Sequence, residues 1–261
     1  MSNYLTNRVK YFLCSKHKKG FGIHSPFLFN LITLIFNDKS DKVVYHKVDM
    51  IRKELLKSKK IINVTDFGAG SKILTSDKRK VSEITKFSSV KKKYGRLLYR
   101  LSAFYKPQTI LELGTSVGIS GAYLALGNHI AKVVTVEGCP EISHIAQETF
   151  TLLETKNVTL VNGTFEEVLP LTFFDLRILG IVFFDGNHTK EATLNYFKQC
   201  IPFTNNDSLF IFDDIHWSEG MEGAWEEIKK NKNVTLTVDL FQLGLVYFHK
   251  ELSKQDFVIR F

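Results

Sequence analysis

Four acidic residues stand where short apolar runs end. Glu137 closes "KVVTVE", Asp185 follows "IVFF", and Asp213 and Asp214 follow "SLFIF". Parallel strands deliver their C-terminal ends to one edge of a sheet, the usual ligand edge. Asp185, Asp213 and Asp214 are therefore expected to converge, and three close carboxylates repel one another unless something positive lies between them. An oxygen-preferring cation, Mg²⁺ or Mn²⁺, meets that need. The plainer reading is that one aspartate caps a helix and that "DD" merely ends a strand. His188, three residues beyond Asp185, is the candidate general base, since imidazole titrates nearest neutrality. Asp185 and His216 complete the expected catalytic set, although a backbone hydrogen bond accounts for a lone His216 equally well. His216 and Trp217 are expected to line a substrate pocket.

Two glycine-punctuated turns compete for the role of cofactor loop: "NVTDFGAGS" from Asn63 and "TILELGTSVGISGAYLA" from Thr109. A nucleoside site needs a strand, a tight turn, a helix, and a second strand ending in a carboxylate for the ribose hydroxyls. The second stretch has all four parts, with Glu137 as the carboxylate; the first is followed by no buried strand and no terminal acid. The expected cofactor contacts are Glu112, Gly114, Thr115, Ser116, Gly118, Ser120, Glu137 and Gly138, together with Asp185. A dinucleotide fingerprint wants glycine where Ser116 and Ile119 stand, so backbone approach to a pyrophosphate is not provided for. S-adenosylmethionine, which has no phosphate, fits better, and Glu112 suits its cationic methionine moiety. For the other turn two readings stay open over residues 66–90: a mobile, basic flap, or an ordered turn that packs the front half.

The elements that must position these residues follow from the apolar pattern. "TILEL", "KVVTVE", "VTLVNG", "GIVFFD" and "SLFIFDD" read as buried strands, with helical segments at 118–128, 140–154, 190–200 and 220–230 among them. The closely spaced runs "VTLTVDL" and "LGLVYFH" leave no room for a crossover helix and should pair antiparallel. The expected fold is α/β, a doubly wound, mostly parallel seven-stranded sheet with its last strand antiparallel. Ahead of it lies a helical region, with helices in "SPFLFNLITLIF", "DKVVYHKVDMIRKELLKSK" and "SSVKKKYGRLLYRLSAFY". The expected division is 1–92 and 93–261.

Charge divides the chain as well. Residues 1–107 hold 24 Lys and Arg against 7 Asp and Glu, whereas residues 108–261 hold 11 against 20. The halves either dock partly through this complementarity or the basic one receives an anionic partner. Cys14, Cys139 and Cys200 lack metal or redox spacing and read as reduced thiols, and neither a signal peptide nor a membrane span is visible. A cytoplasmic location is the expectation.

The motifs "ILELGTSVGISGAYLA", "VVTVEG", "VNGTFEEVL", "IVFFDGNHTKEATLNYF" and "LFIFDDIHWSEGMEGAWEEI" together resemble class I S-adenosylmethionine-dependent methyltransferases. More narrowly they are similar to the metal-dependent small-molecule O-methyltransferases of the catechol and antibiotic-sugar types. The resemblance covers roughly Lys93 to Lys250. It implies methyl transfer to a hydroxyl of a small or anionic acceptor, a divalent metal at Asp185, Asp213 and Asp214, and an adenine pocket made by Asn162, Gly163, Thr164 and Phe165. Two positions depart from the pattern: Asn187 stands where the sugar enzymes tend to place an acidic base, and Asn162 where an aspartate is common. "GFGIHSPFLFNLI" and "DFGAGS" look like the extra region of bacterial methyltransferases of undefined substrate. RNA or protein methylation by the basic half is the rival activity, and a non-catalytic cofactor-binding protein the rival class. "DGNH" in place of an Asn/Asp-Pro-Pro-aromatic tetrapeptide counts against base N-methylation. A homodimer is compatible with the sequence.

Overall fold

The computed structural model describes residues 2–15, 19–20, 22–65 and 76–261. They form two compact units, Ser40–Arg177 and Met1–Lys39 with Ile178–Phe261. Each unit draws on both sides of the boundary expected at residue 92.

The second of these units begins with helix α1 (Ser2–Cys14) and helix α2 (Pro26–Asn30), which runs into a wider π-helical segment, Leu31–Phe36. Ser25 caps α2 as its type predicts, accepting from Leu28 N–H at 3.3 Å, and Pro26 takes the first turn, where its missing donor costs nothing. Leu28, Leu31, Ile32, Ile35 and Phe36 are buried, while Phe29 and Leu34 on the other side are exposed.

In the unit Ser40–Arg177, helix α3 (Val43–Lys57) leads into a hairpin of β1 (Ile61–Asn63) and β2 (Lys78–Lys80), paired antiparallel with Ile62 opposite Arg79. Helix α4 (Val81–Ser88) follows at once, burying Val81, Ile84 and Thr85. Residues 76–90 are thus strand and packed helix, because the 3–4 spacing of those three residues gives the segment an apolar face despite its lysines. Asp66–Ser71, the glycine turn of the flap reading, lies outside the described residues. Helix α5 (Lys92–Tyr105) then precedes the strands β3 (Thr109–Leu113), β4 (Lys132–Glu137) and β5 (Val158–Asn162), which are parallel in that order. Helices α6 (Ile119–Gly127) and α7 (Pro140–Leu152) connect them, and α8 (Phe165–Leu176) follows β5.

The remaining strands belong to the other unit. They are β6 (Ile181–Phe184), β7 (Leu209–Phe212), β8 (Leu236–Asp239), β9 (Gly244–Tyr247) and β10 (Gln255–Val258), in the spatial order β10-β8-β9-β7-β6. Helices α9 (Lys190–Cys200) and α10 (Glu219–Lys230) accompany them. Strand β9 is antiparallel to both β7 and β8, as the short "FQ" connection requires. The sheet has eight strands rather than seven, since β10 adds to β8 in parallel. All four residues of β6, β7, β8 and β9 are buried, which is why these strands read as unbroken apolar runs.

Candidate active site

The turn after β3 is shaped by backbone that glycine alone adopts readily. Gly114 has φ +102° and Gly118 φ +83°, and a Cβ on Gly118 would meet the Ala146 carbonyl oxygen at 3.2 Å. Ser116 between them is also left-handed, at φ +49°, a strain that clusters at functional turns. Its Oγ is buried and has no hydrogen-bond partner among the described residues. An unsatisfied hydroxyl costs free energy unless a ligand or water completes it, so the turn fits a polar cofactor end. The Gly114 and Thr115 N–H groups donate to Val136 O, anchoring the turn to β4.

Glu112 and Thr115 point elsewhere than expected. Glu112 is fully buried, and its Oε2 accepts from Thr135 Oγ1 at 2.6 Å, which in turn lies 2.5 Å from Thr115 Oγ1. Burial pushes the Glu112 carboxyl up to about 7, against the opposing pull of Ser120 and Thr135. A side chain enclosed in this way braces the strands from within; its Oε1, also without a partner among the described residues, is the one atom left for a ligand. Ser120 is buried beside it.

Glu137 ends β4 in register with Asn162 at the end of β5. Its Oε2 accepts from Ser116 N–H at 2.9 Å and its Oε1 from Cys139 N–H at 3.0 Å. These two backbone donors fix the carboxylate at the turn. The Asn162 amide, expected against adenine, donates to Glu137 O at 2.7 Å, to Gly138 O and to Ser143 Oγ. Gly163 N–H joins it on Glu137 O. Thr164 caps α8 in a reciprocal box with Glu167, and Phe165 opens that helix. Asn162 and Gly163 thus hold the Glu137 turn in place.

In the other unit, Phe184 on β6 pairs with Phe212 on β7, and their rings stack 4.3 Å apart. The next residues are Asp185 and Asp213, so parallel register alone makes them neighbours. Asp213 N–H donates to Phe184 O, and the Asp213 carboxyl bonds the side chains of Asp185 and Gln242. Burial, then the charge of Asp214, pushes Asp213 up to about 8, so Asp213 keeps its proton at neutral pH. Asp214 is left-handed, at φ +54°, and donates its N–H to Asp213 Oδ1. His188 Nε2 lies 3.6 Å from Asp185 Oδ1; burial lowers its pKa and Asp214 partly offsets this, leaving a neutral imidazole at pH 7. Asn187 is left-handed, at φ +49°.

His216 is placed otherwise than as a free base. Its Nδ1 lies 3.0 Å from Glu222 Oε1 and its Nε2 2.7 Å from Asp239 Oδ2, with the ring stacked on Phe241. Burial lowers its pKa, but the two carboxylates outweigh that and raise it. Both nitrogens donate, and the imidazolium serves as an ionic link. Trp217, expected in a pocket, is 42% exposed and joins its N–H to Asp214 O.

Residues 111–215 match the family described as "Methyltransferase domain". That stretch is similar to a methyltransferase domain. Solved structures with the same fold include an O-methyltransferase from Bacillus cereus in complex with S-adenosylhomocysteine (SAH): 17% identity, TM-score 0.56, covering 84% of this chain and 96% of that one. Another is an O-methyltransferase of tomaymycin synthesis from Streptomyces achromogenes in complex with S-adenosylmethionine: 16%, TM-score 0.57, 85% and 95%. An SAH-bound methyltransferase from Podospora anserina extends over 96% of this chain and 97% of its own, at 12% identity and TM-score 0.60. No curated protein matches the sequence. The resemblance read from the motifs is borne out for the domain and for its fold, the class I methyltransferase α/β fold.

Several residues that build this region are not legible in the sequence. Glu222 and Asp239 were not singled out, because their partner His216 is 6 and 23 residues away and only the fold joins them. Helix α8 does announce itself in the sequence, since Thr164 and Glu167 carry the spacing of a capping box. Among the described residues no group of three His, Cys, Asp or Glu side chains gathers to hold a metal, and no helix is long and apolar enough to cross a membrane.

Proposed function

We propose that the protein is an S-adenosylmethionine-dependent O-methyltransferase acting on a hydroxyl of a small or anionic acceptor, assisted by a divalent cation. The observation that carries this reading is the contact of Asp185 with the buried Asp213, with His188 Nε2 3.6 Å from Asp185, in a chain whose Gly114–Gly118 turn and Glu137 fit a nucleoside cofactor. S-adenosylmethionine, once bound, supplies a methyl group on a sulfonium that needs no further activation. Glu137 would take the ribose hydroxyls, and the Ser116 hydroxyl the polar methionine end. His188 would accept the acceptor's hydroxyl proton as the oxygen attacks. The protonated, buried Asp213 and its neighbour Asp185 are a donor set that a cation fits in exchange for the Asp213 proton. Asp185 and Asp213 would hold the ion, with acceptor oxygens completing its sphere, and the ion would lower the pKa of a bound hydroxyl.

The test is transfer of labelled methyl from S-adenosylmethionine to a panel of catechols, hydroxy acids and sugars, with and without Mg²⁺. Label in at least one hydroxylated acceptor, lost on chelation, supports the reading. Label only in RNA or protein contradicts it.

A further inference from the structure

The turn carrying Glu137 is braced from three directions, and one brace comes from outside the segment matched to the methyltransferase family. Ser116 N–H holds the Glu137 carboxylate from the glycine turn, and the Asn162 amide holds the Glu137 and Gly138 carbonyls from β5. The third brace is the β1–β2 hairpin. Asn63, the last residue of β1, donates its backbone N–H to Glu141 Oε2 at 3.0 Å and its side-chain amide to Glu141 Oε1 at 2.9 Å. Its carbonyl accepts from Cys139 Sγ at 3.5 Å. Both oxygens of Glu141 are therefore taken by one residue, and the two bonds, the side-chain one first, hold that carboxyl below the usual range.

A glutamate in the first turn of a helix is favoured by the helix dipole and needs no further partner. A two-donor fork does something the dipole does not: it fixes orientation as well as position. Glu141 follows Pro140 at the start of α7, and Cys139, the residue before that, donates its N–H to Glu137 Oε1 at 3.0 Å. Asn63 thus grips the chain on the residue that sets Glu137 and again two residues further on.

We propose that Asn63 and Glu141 are positioning residues for the Glu137 carboxylate, so that the β1–β2 hairpin sets affinity for the ribose of the cofactor. The proposal rests on the reading of Glu137 as the ribose acceptor. It gives the opening of "NVTDFGAGS" a task on the cofactor that is not that of a second cradle.

Calorimetry with SAH and with its 2′,3′-dideoxy analogue tests this on the wild type, Asn63→Ala, Glu141→Ala and the double variant. Both side chains lie at the surface, and matching thermal midpoints will show that all four proteins are folded. Each single change should weaken SAH about five- to twentyfold, as for loss of a bond to a charged group. The double variant should lose no more than the worse single, since one link is cut twice. The analogue, lacking the hydroxyls that Glu137 accepts, should bind all four proteins alike. A change under about twofold for SAH overturns the clamp, as does an equal loss for SAH and the analogue, which would mark general loosening. Failure of the wild type itself to bind SAH would overturn the cofactor reading and the clamp with it, and it is visible before any variant is made.

Discussion

His216 Nε2 lies 2.7 Å from Asp239 Oδ2, across 23 residues of sequence. Strand register explains the meeting: Asp239 on β8 and Phe212 on β7 both pair with Gly244 on β9, and His216 follows Phe212 by four residues. Glu222 completes the sandwich and also accepts from the Asn7 amide, so the imidazolium links the β7 end, α10 and α1.

The His216 pKa is raised in the fold, so its contribution to stability is full below the ordinary histidine value of 6.5 and is lost as pH rises through the raised one. His216→Gln should cost about 1–3 kcal/mol at pH 6, because it leaves two partly buried carboxylates without their cation. Thermal melts from pH 5.5 to 8.5 should converge for wild type and variant at the alkaline end. A constant gap across that range would show that packing on Phe241, not charge, is what His216 supplies.

The Asp213 carboxyl has the opposite history with the same sign. Its pKa is raised to about 8, so the stability it lends is full below the ordinary value of 3.8 and is lost as pH climbs through about 8. On the proposed reading, Mg²⁺ held by Asp185 and Asp213 would displace the Asp213 proton. Titrations at pH 7 in buffers of different ionisation enthalpy should report release of about one proton per ion, falling away above about pH 8, and none for Asp213→Asn. Binding heats independent of buffer would mean that the ion does not sit on this pair.

The sequence made the pieces visible wherever a short, fully buried strand ends in a charged residue. "KVVTVE" and "IVFF" followed by Asp185 could be placed without any partner, because burial on both faces removes alternation and the acid marks the edge. What stayed hidden depended on partners far along the chain. β10 is four residues of "QDFV", half exposed, with no apolar period to betray it. Residues 76–90 read as polar loop because their charges outnumber the three residues that α4 buries. The Asp213 side chain was legible as acidic but not as protonated, since only register sets Asp185 against it.

His188 is held neutral by burial, with a pKa below the ordinary histidine value. A general base must be unprotonated, so the acidic limb of kcat should fall below pH 6.5 rather than at it. His188→Ala should lower kcat about 10²- to 10⁴-fold with little change in SAH affinity. A variant that keeps its rate would transfer the proton-accepting role to solvent or to another side chain.

The proposed function stands or falls with S-adenosylmethionine in the turn from Gly114 to Gly118. Titration calorimetry of SAH into the wild type and Gly114→Val tests it most directly. Gly114 sits at φ +102°, where a β-branched side chain is strained, and the substitution must move the turn that feeds Ser116 N–H to Glu137. The wild type should bind with a Kd on the order of micromolar, and a folded Gly114→Val should show no detectable binding. Binding of NAD with none of SAH, or undiminished SAH binding by the variant, would contradict it.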